Sequence, residues 1–387
     1  MSEQHASMPG LRVVTVEHFI AGPFCTQLLG DQGADVIRVE SPAGSNRGGY
    51  FPTLNRNKRS IVVDLKSEPG LKTLHALIET ADVFVTNLGA GVPSRLGFDY
   101  ERLSQINPSL VYAHITGFGQ NSPYRDIPAF DGVIQAMSGV MDMTGEPDGA
   151  PMLSGVFIPD HLTGLYAALA VNNALLRRQH TGHGSYIDLS MLDCLLSFHA
   201  TGYQEVLAEG KKVTRIGSKV RGSYASTYRA SDGYVYLAPL TARMWQGVSQ
   251  VIGKPELLAY MGDTPEADTR LAHRDELDAL IEGWTSQHPV AEVVERMRAA
   301  GVASSAVHTM EEVVADPHLK VRNLLRTVPD LSGEGTFYVA GSPVPALDTY
   351  AKRPPRLGEH TDEILAELGM APADAVGAMG AAGQRDG

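Results

Sequence analysis

The chain has 387 residues, enough for two domains and a large core, and its 32 basic and 44 acidic side chains give a formal net charge of −12. That balance disfavours generic binding to DNA or to anionic lipid, while leaving room for a local basic site that takes an anionic ligand. At 43% hydrophobic residues the composition is that of a soluble globular protein. No apolar run approaches the roughly 18 residues that cross a bilayer.

The first predicted element is a strand over 12–16. A helix over 23–29 follows, with proline near its start and Gly30 or Gly33 near its end. Residues 35–39 read as the next strand, and 61–65, 83–86 and 110–115 as further short buried strands. Helical patterns such as 69–79 fall between them, so the sheet is expected to be mostly parallel with helices on both faces. Residues 160–179 form the longest predicted helix of this half, with Leu162, Leu165, Leu169 and Leu176 recurring at roughly helical spacing. A turn at Gly182 and Gly184 leads to a strand over 185–189 and a helix from Met191.

The pattern changes after about Gly210. Residues 1–210 form the N-terminal part of a large domain, and 211–225, basic and weakly periodic, read as a linker or mobile loop. A smaller α/β domain spans 226–323. It opens with a hairpin around Asp232 and Gly233 and continues with helices over 243–252, 276–285 and 290–300. Residues 324–371 are a return segment, extended and Pro-rich as far as 355, and the Ala/Gly-rich 372–387 a disordered tail.

Asp160 follows the apolar run Val156, Phe157, Ile158 and Pro159, at the predicted start of the long helix. A carboxylate there stands near the positive end of a helix dipole and beside apolar surface, a setting that suits a poorly hydrated nucleophile. The same placement suits a plain N-cap with the Thr163 amide as partner. Asp131 reads either as the cap of a helix over 132–138 or as a second carboxylate that orients groups and handles protons. Gln27, Gln135, Gly117 and Gly119 read as packing and turn positions, or as hydrogen-bond donors and points of close backbone approach. The two cysteines, Cys25 and Cys194, make no disulfide framework and fit a cytoplasmic location, as does an opening MSEQHASMPG without the features of a secretory signal. Cys25 reads as a packed, inert thiol. Neither Cys-x-x-Cys nor His-Glu-x-x-His occurs, so no metal is expected.

Larger segments stand in a fixed order: AGPFCTQLLGDQGADVIRVESP (21–42), NRNKRSIVVDLK (55–66), ADVFVTNLGAGVPSRLGFD (81–99), NPSLVYAHITGFGQNSPY (107–124), AFDGVIQAMSG (129–139), GVFIPDHLTGLYAALAVNNALL (155–176), TGHGSYIDLSMLD (181–193) and LGEHTDEILAELG (357–369). Together they closely resemble the family III CoA-transferases, over about residues 11–369. The resemblance implies an α/β fold: a large Rossmann-like, CoA-binding domain formed from both chain ends, with a smaller α/β domain inserted. It also implies a homodimer threaded like linked rings.

The implied activity moves CoA from an acyl-CoA to a small carboxylic or dicarboxylic acid, through an aspartyl mixed anhydride and an aspartyl-CoA thioester. CoA thioesters would be substrates; no permanently bound cofactor, nucleic acid or membrane partner is implied. Asp160 matches the family's nucleophile, within the G-x-x-x-x-D-x-x-x-G pattern of Gly155, Asp160 and Gly164. Asp131 matches an acidic position near that site. Phe19, Ile20, Ala21, Lys66, Asn87 and Arg95 match positions that touch CoA, and Arg38 lies offset from a matched basic position. Residues 215–224 hold only Gly217 and Gly222 where oxalate-directed members carry a glycine-rich loop, which points away from oxalate and formyl-CoA. Arg47, Arg56 and Arg221 read as solvent-exposed charges, or as grips for a second carboxylate.

The alternative is a 2-methylacyl-CoA racemase or epimerase working by α-proton transfer; those relatives carry a His-Asp pair where this chain has Phe130 and Asp131. A nicotinamide dehydrogenase is disfavoured because the first turn lacks G-x-G-x-x-G.

Overall fold

Short β-branched runs make the central strands of the larger sheet, and both faces of each run are buried, as a parallel sheet covered on two sides requires. The computed structural model describes residues 7–44, 49–262, 264, 268–344 and 352–371. Six parallel strands, β1 (Arg12–Val16), β2 (Asp35–Glu40), β3 (Lys58–Val62), β4 (Val83–Thr86), β5 (Val111–Thr116) and β6 (Ser185–Ser190), lie in the order β3-β2-β1-β4-β5-β6. Between them run α1 (Ala21–Asp31), α2 (Phe51–Asn55), α3 (Glu68–Glu79), α4 (Val92–Leu96), α5 (Tyr100–Ile106), α6 (Asp131–Met137), α7 (Val140–Met143) and α8 (Ile158–Thr181). The helices α9 (Met191–Leu196) and α10 (Ala200–Tyr203) follow β6.

Val13, Val36, Val85 and Ala113 face α1 and α8, while Val14, Ile37, Phe84 and Tyr112 face α3 and α5.

The chain divides into two compact units. The larger holds the described residues of Met1–Val140, Ser154–Gly210 and Pro317–Gly387; the smaller holds those of Met141–Leu153 and Lys211–Asp316. In the smaller unit β7 (Ser226–Arg229), β8 (Tyr234–Ala238) and β9 (Ala303–Ala306) form an antiparallel sheet. It carries α11 (Ala242–Ile252), α12 (Arg274–Thr285), α13 (Val290–Ala299) and α14 (Met310–Ala315). Its core gathers Tyr228, Val235, Trp245, Leu277 and Met297. Arg270 stands over the rings of Tyr224 and Trp245, at 5.8 and 5.3 Å.

Residues 141–153 cluster here and not with the elements that flank them in sequence. Arg215 holds them, donating to the Asp142 carboxylate at 2.8 Å and to the Glu146 carbonyl at 3.2 Å.

The chain then returns to the larger unit through α15 (Pro317–Val321) and an antiparallel hairpin, β10 (Leu325–Pro329) and β11 (Thr336–Ala340), within the segment expected to be extended. The last helix, α16 (Thr361–Glu367), seals the β3 side of the sheet with Ile364 and Leu365. There the His360 N–H donates to the Ser60 carbonyl at 3.0 Å, and Arg59 pairs with Glu363 and Glu367 at 3.0 and 2.6 Å. The expected tail, 372–387, lies outside the described residues.

Three expectations need correction. The strand expected over 61–65 is Lys58–Val62, because the side chains of Lys58 and Ser60 are buried in a polar network and not in the apolar core. The long helix begins at Ile158, before Asp160, so Asp160 is not its cap; Phe157 holds that position without a side-chain bond. Of the spaced leucines of that helix, Leu162 alone packs against the core, and it does so half-buried. Leu165, Leu169 and Leu176 are 55%, 53% and 58% exposed, while Gly164, Ala167, Ala168, Val171 and Ala174 are buried, since α1 lies too close for larger side chains.

Under α1 sits a buried charge cluster. The Glu17 carboxylate receives Lys58 Nζ at 2.7 Å and the hydroxyls of Thr15 and Thr26 at 2.7 and 2.9 Å, with an Arg38 Nη1 at 3.5 Å. Burial pushes Glu17 up, but Lys58 and Arg38 outweigh it and hold the group below its ordinary value. Removing one partner of such a pair leaves an uncompensated buried charge. Lys58→Met is therefore expected to lower the unfolding free energy by about 3 kcal/mol in a urea titration. A loss below about 1 kcal/mol would show that Arg38 neutralises Glu17 unaided.

Candidate active site

In this strand order the crossovers on either side of the β1–β4 pair lead away in opposite directions, which opens a crevice at the carboxyl ends of those strands. A cavity of about 710 Å³ lies there. Its walls are the turn after β1, the segment after β4, the end of β5, the approach to α6 and the start of α8.

Asp160 is the third residue of α8 and points into this cavity. The backbone N–H of Ala21, the first residue of α1, faces this carboxylate and favours its ionised form. Gly164, one turn further along α8, makes the meeting possible. A Cβ at Gly164 would stand 2.7 Å from the Ala21 carbonyl oxygen and 2.9 Å from the Phe24 ring. Two helix N-termini therefore converge on one carboxylate, and their partial positive charge favours its ionised form. Burial acts the other way and is the larger effect. It pushes Asp160 up to about 7, with the charge of Asp131 adding to the rise and the Ala21 N–H opposing it.

Asp131 opens α6, and Phe130 occupies the cap position, so Asp131 does not cap its own helix. It serves α8 instead: its Oδ2 accepts the Asp160 backbone N–H at 3.4 Å. Its Oδ1 accepts Gln135 Nε2 at 2.6 Å, and Gln135 Oε1 in turn accepts the Ser154 N–H at 3.0 Å. Burial raises the Asp131 pKa, against the pull of Gln135, the Asp160 N–H and His161. A sequence search for caps misses this pairing because donor and acceptor lie on different elements, 29 residues apart.

Of the residues singled out from sequence, Phe19, Ile20, Ala21, Asn87, Arg95, Asp131 and Asp160 line the one cavity, as does Gly117. Phe19 meets Phe130 edge to face at 5.3 Å, and both rings are exposed at the cavity. The others lie elsewhere. Lys66 is exposed and does not line the cavity. Arg38 is spent inside the sheet, where its Nη1 donates to Asn55 Oδ1 at 2.6 Å. Arg56 is buried against Asp31 at 2.6 Å, and Gln27 donates to the same carboxylate at 3.1 Å. Arg221 belongs to the smaller unit and donates to the Thr214 carbonyl. Arg47 falls outside the described residues. Cys25 is buried, and burial pushes its thiol up, which leaves it unreactive.

His18 and Arg125 line the cavity and were missed. His18 could have been found as the neighbour of Phe19; Arg125 sits in an irregular segment with no pattern to mark it. Among the described residues, no group of His, Cys, Asp and Glu could hold a metal ion, and no helix is long and apolar enough to cross a membrane.

The family model described as CoA-transferase family III matches residues 8–361. A succinate–glutarate CoA-transferase of Agrobacterium fabrum is 32% identical, over 95% of this chain and 97% of its own length. A succinyl-CoA:mesaconate CoA-transferase of Haloarcula hispanica is 32% identical, over 94% and 97%. A formyl-CoA:oxalate CoA-transferase of Streptomyces coelicolor is 35% identical, over 94% and 96%. Among solved structures, a CAIB/BAIF family protein from Brucella suis superposes with a TM-score of 0.81 at 35% identity, covering 94% of this chain and 99% of that one.

The raised pKa of Asp160 is also a statement about stability. Its ordinary value is 3.8, so between about pH 4 and pH 7 the folded chain keeps a proton that the unfolded chain releases. The contribution of this group to stability therefore falls as pH rises through that window. Asp160→Asn is expected to be more stable than the parent at pH 8, by on the order of 2 kcal/mol, with the difference vanishing towards pH 4. Thermal unfolding at the two pH values checks this.

Proposed function

We propose that this chain, which belongs to CoA-transferase family III and is a CoA-transferase, carries out transfer through Asp160 as a covalent relay. The observation that carries the reading is the Asp160 carboxylate, held between two helix N-termini in a largely apolar cavity, with a pKa of about 7. Such a group is substantially ionised at neutral pH yet poorly hydrated, so little solvent must be removed before it attacks.

In the proposed path an Asp160 oxygen attacks the acyl carbon of the donor thioester. The C–S bond breaks, CoA leaves as a thiolate, and a mixed anhydride remains. The thiolate then attacks the Asp160 carbonyl carbon; the anhydride C–O bond breaks, the donor acid departs as a carboxylate, and an aspartyl-CoA thioester is left. The acceptor carboxylate attacks that carbonyl and again releases the thiolate. The thiolate finally attacks the acceptor carbonyl, giving the new acyl-CoA and free Asp160. Charge and protons balance throughout, and one thioester is exchanged for another without a second energy source.

Each carbonyl attacked builds negative charge beside the converging helix ends, where the Ala21 N–H already points. Asp131 fixes the main chain of Asp160. The Phe19 and Phe130 rings shelter the anhydride from water. Arg95 and Arg125 supply positive charge for the phosphates of CoA or the carboxylate of the acid.

The relatives' names join succinate, glutarate, mesaconate and oxalate to CoA. A small carboxylic or dicarboxylic acid is accordingly our reading of the acceptor. A homodimer is part of the same reading, supported by the exposed leucines of α8. Two free, buried cysteines fit a cytoplasmic enzyme.

Asp160→Ala should bind CoA but lose transfer by about 10³-fold or more. Hydroxylamine added during turnover should convert residue 160 of the parent enzyme to the hydroxamate, read by peptide mass spectrometry. Because the attacking form is ionised, kcat/KM should rise with pH through about 7. Turnover close to normal in Asp160→Ala would end the proposal. Sedimentation equilibrium should give twice the 41.5 kDa chain mass.

A further inference from the structure

We propose that Asn87 is a positioning residue, whose side-chain amide clamps the main chain of His18 and so fixes the turn that presents the Ala21 N–H to Asp160. The inference rests on Asp160 being the nucleophile. Asn87 Oδ1 accepts the His18 N–H at 2.8 Å, and Asn87 Nδ2 donates to the His18 carbonyl at 2.7 Å. A primary amide carries an acceptor and a donor side by side, so it can hold both polar groups of one backbone residue, as a neighbouring strand would. The register of β1 with β4 ends at Val16 opposite Thr86. The Asn87 side chain carries the pairing beyond that point, where the two main chains diverge.

The turn needs holding. Phe19 sits at φ 57°, the left-handed region that a side chain with a Cβ avoids. His18 and Phe19 are both exposed, so no core packing keeps them in place. On one side the turn is anchored by the buried Glu17, and on the other by Ile20 and the start of α1. Gly22 closes the arrangement: a Cβ there would stand 3.0 Å from Asn87 Cγ, 3.1 Å from Asn87 Oδ1 and 3.2 Å from Glu17 Cβ. The amide oxygen and one of its N–H groups are thus engaged within the protein.

Loss of the clamp frees the Ala21 N–H to drift from the Asp160 carboxylate. Asp160 is then faced by Asp131 from α6 and by the end of its own helix. His161 on α8 acts through Asp131, and His18, Arg95, Arg125 and Asp126 share the cavity. With one donor weakened, the anion is less favoured and its pKa rises, so the acid limb of the rate profile moves to higher pH.

The test uses Asn87→Ala, which removes both bonds, and Gly22→Ala, which crowds the amide while leaving Asn87 in place and suits the helix better than glycine. Asn87→Ala is expected to lower kcat by about 10- to 100-fold and to move the acid limb of kcat/KM upward by about half a pH unit or more. Its KM for acyl-CoA should change less than about 3-fold. Gly22→Ala should shift both in the same direction by less, and it decides the matter if Asn87→Ala does not fold. Hydroxylamine trapping runs alongside. A parent enzyme that turns over with residue 160 unlabelled removes the premise and the proposal with it. A labelled parent whose variants keep both the rate and the limb overturns the clamp alone. So does a variant that raises KM with the limb unmoved, which would make Asn87 a ligand contact.

Discussion

The close approach of α1 and α8 at Gly164 is the constraint on which the site depends. With a glycine there, the two helices bring their first turns together, and a carboxylate from one meets a main-chain donor from the other. The same closeness selects alanine and valine along the rest of the contact and leaves Leu165, Leu169 and Leu176 of α8 facing outward. Nucleophile, donor and packing are thus one arrangement.

That arrangement holds an anion where burial disfavours it. Asp131 sharpens the conflict, since it is a second acidic group raised by burial and bound to the main chain of the first. A fold gains nothing in stability from two such carboxylates beside an apolar cavity. Their presence is intelligible as chemistry: a poised nucleophile is by nature a poorly satisfied one.

Much of this was legible in the chain itself. The strands at Arg12–Val16 and Val83–Thr86 matched their predicted bounds because each is an apolar β-branched run ended by a turn. Asp160 stood out because its carboxylate interrupts an apolar stretch at a helix start. What periodicity hid was partnership across elements. Arg38 read as a cation near a matched ligand-binding position, yet it and Lys58 neutralise buried carboxylates contributed by β2 and the end of β1. Asp131 read as a cap for α6 or as a second carboxylate that orients groups; it does not cap α6 and receives the main chain of α8. The leucines obeyed helical spacing, but spacing cannot say which face a second helix will approach. Residues 141–153 carried no composition shift to mark that they cluster with the smaller unit.

The docking of α16 on β3 has a consequence for biogenesis. The Ser60 N–H meets a ring nitrogen of His360, so a sheet begun near the start of the chain is finished by a contact 300 positions later. During synthesis the β3 side of the sheet stays bare while the entire smaller unit emerges, and loop closure over that distance is slow. The smaller unit must be translated before the larger unit can hide its greasy flank, which makes the nascent polypeptide a natural client for holdase chaperones.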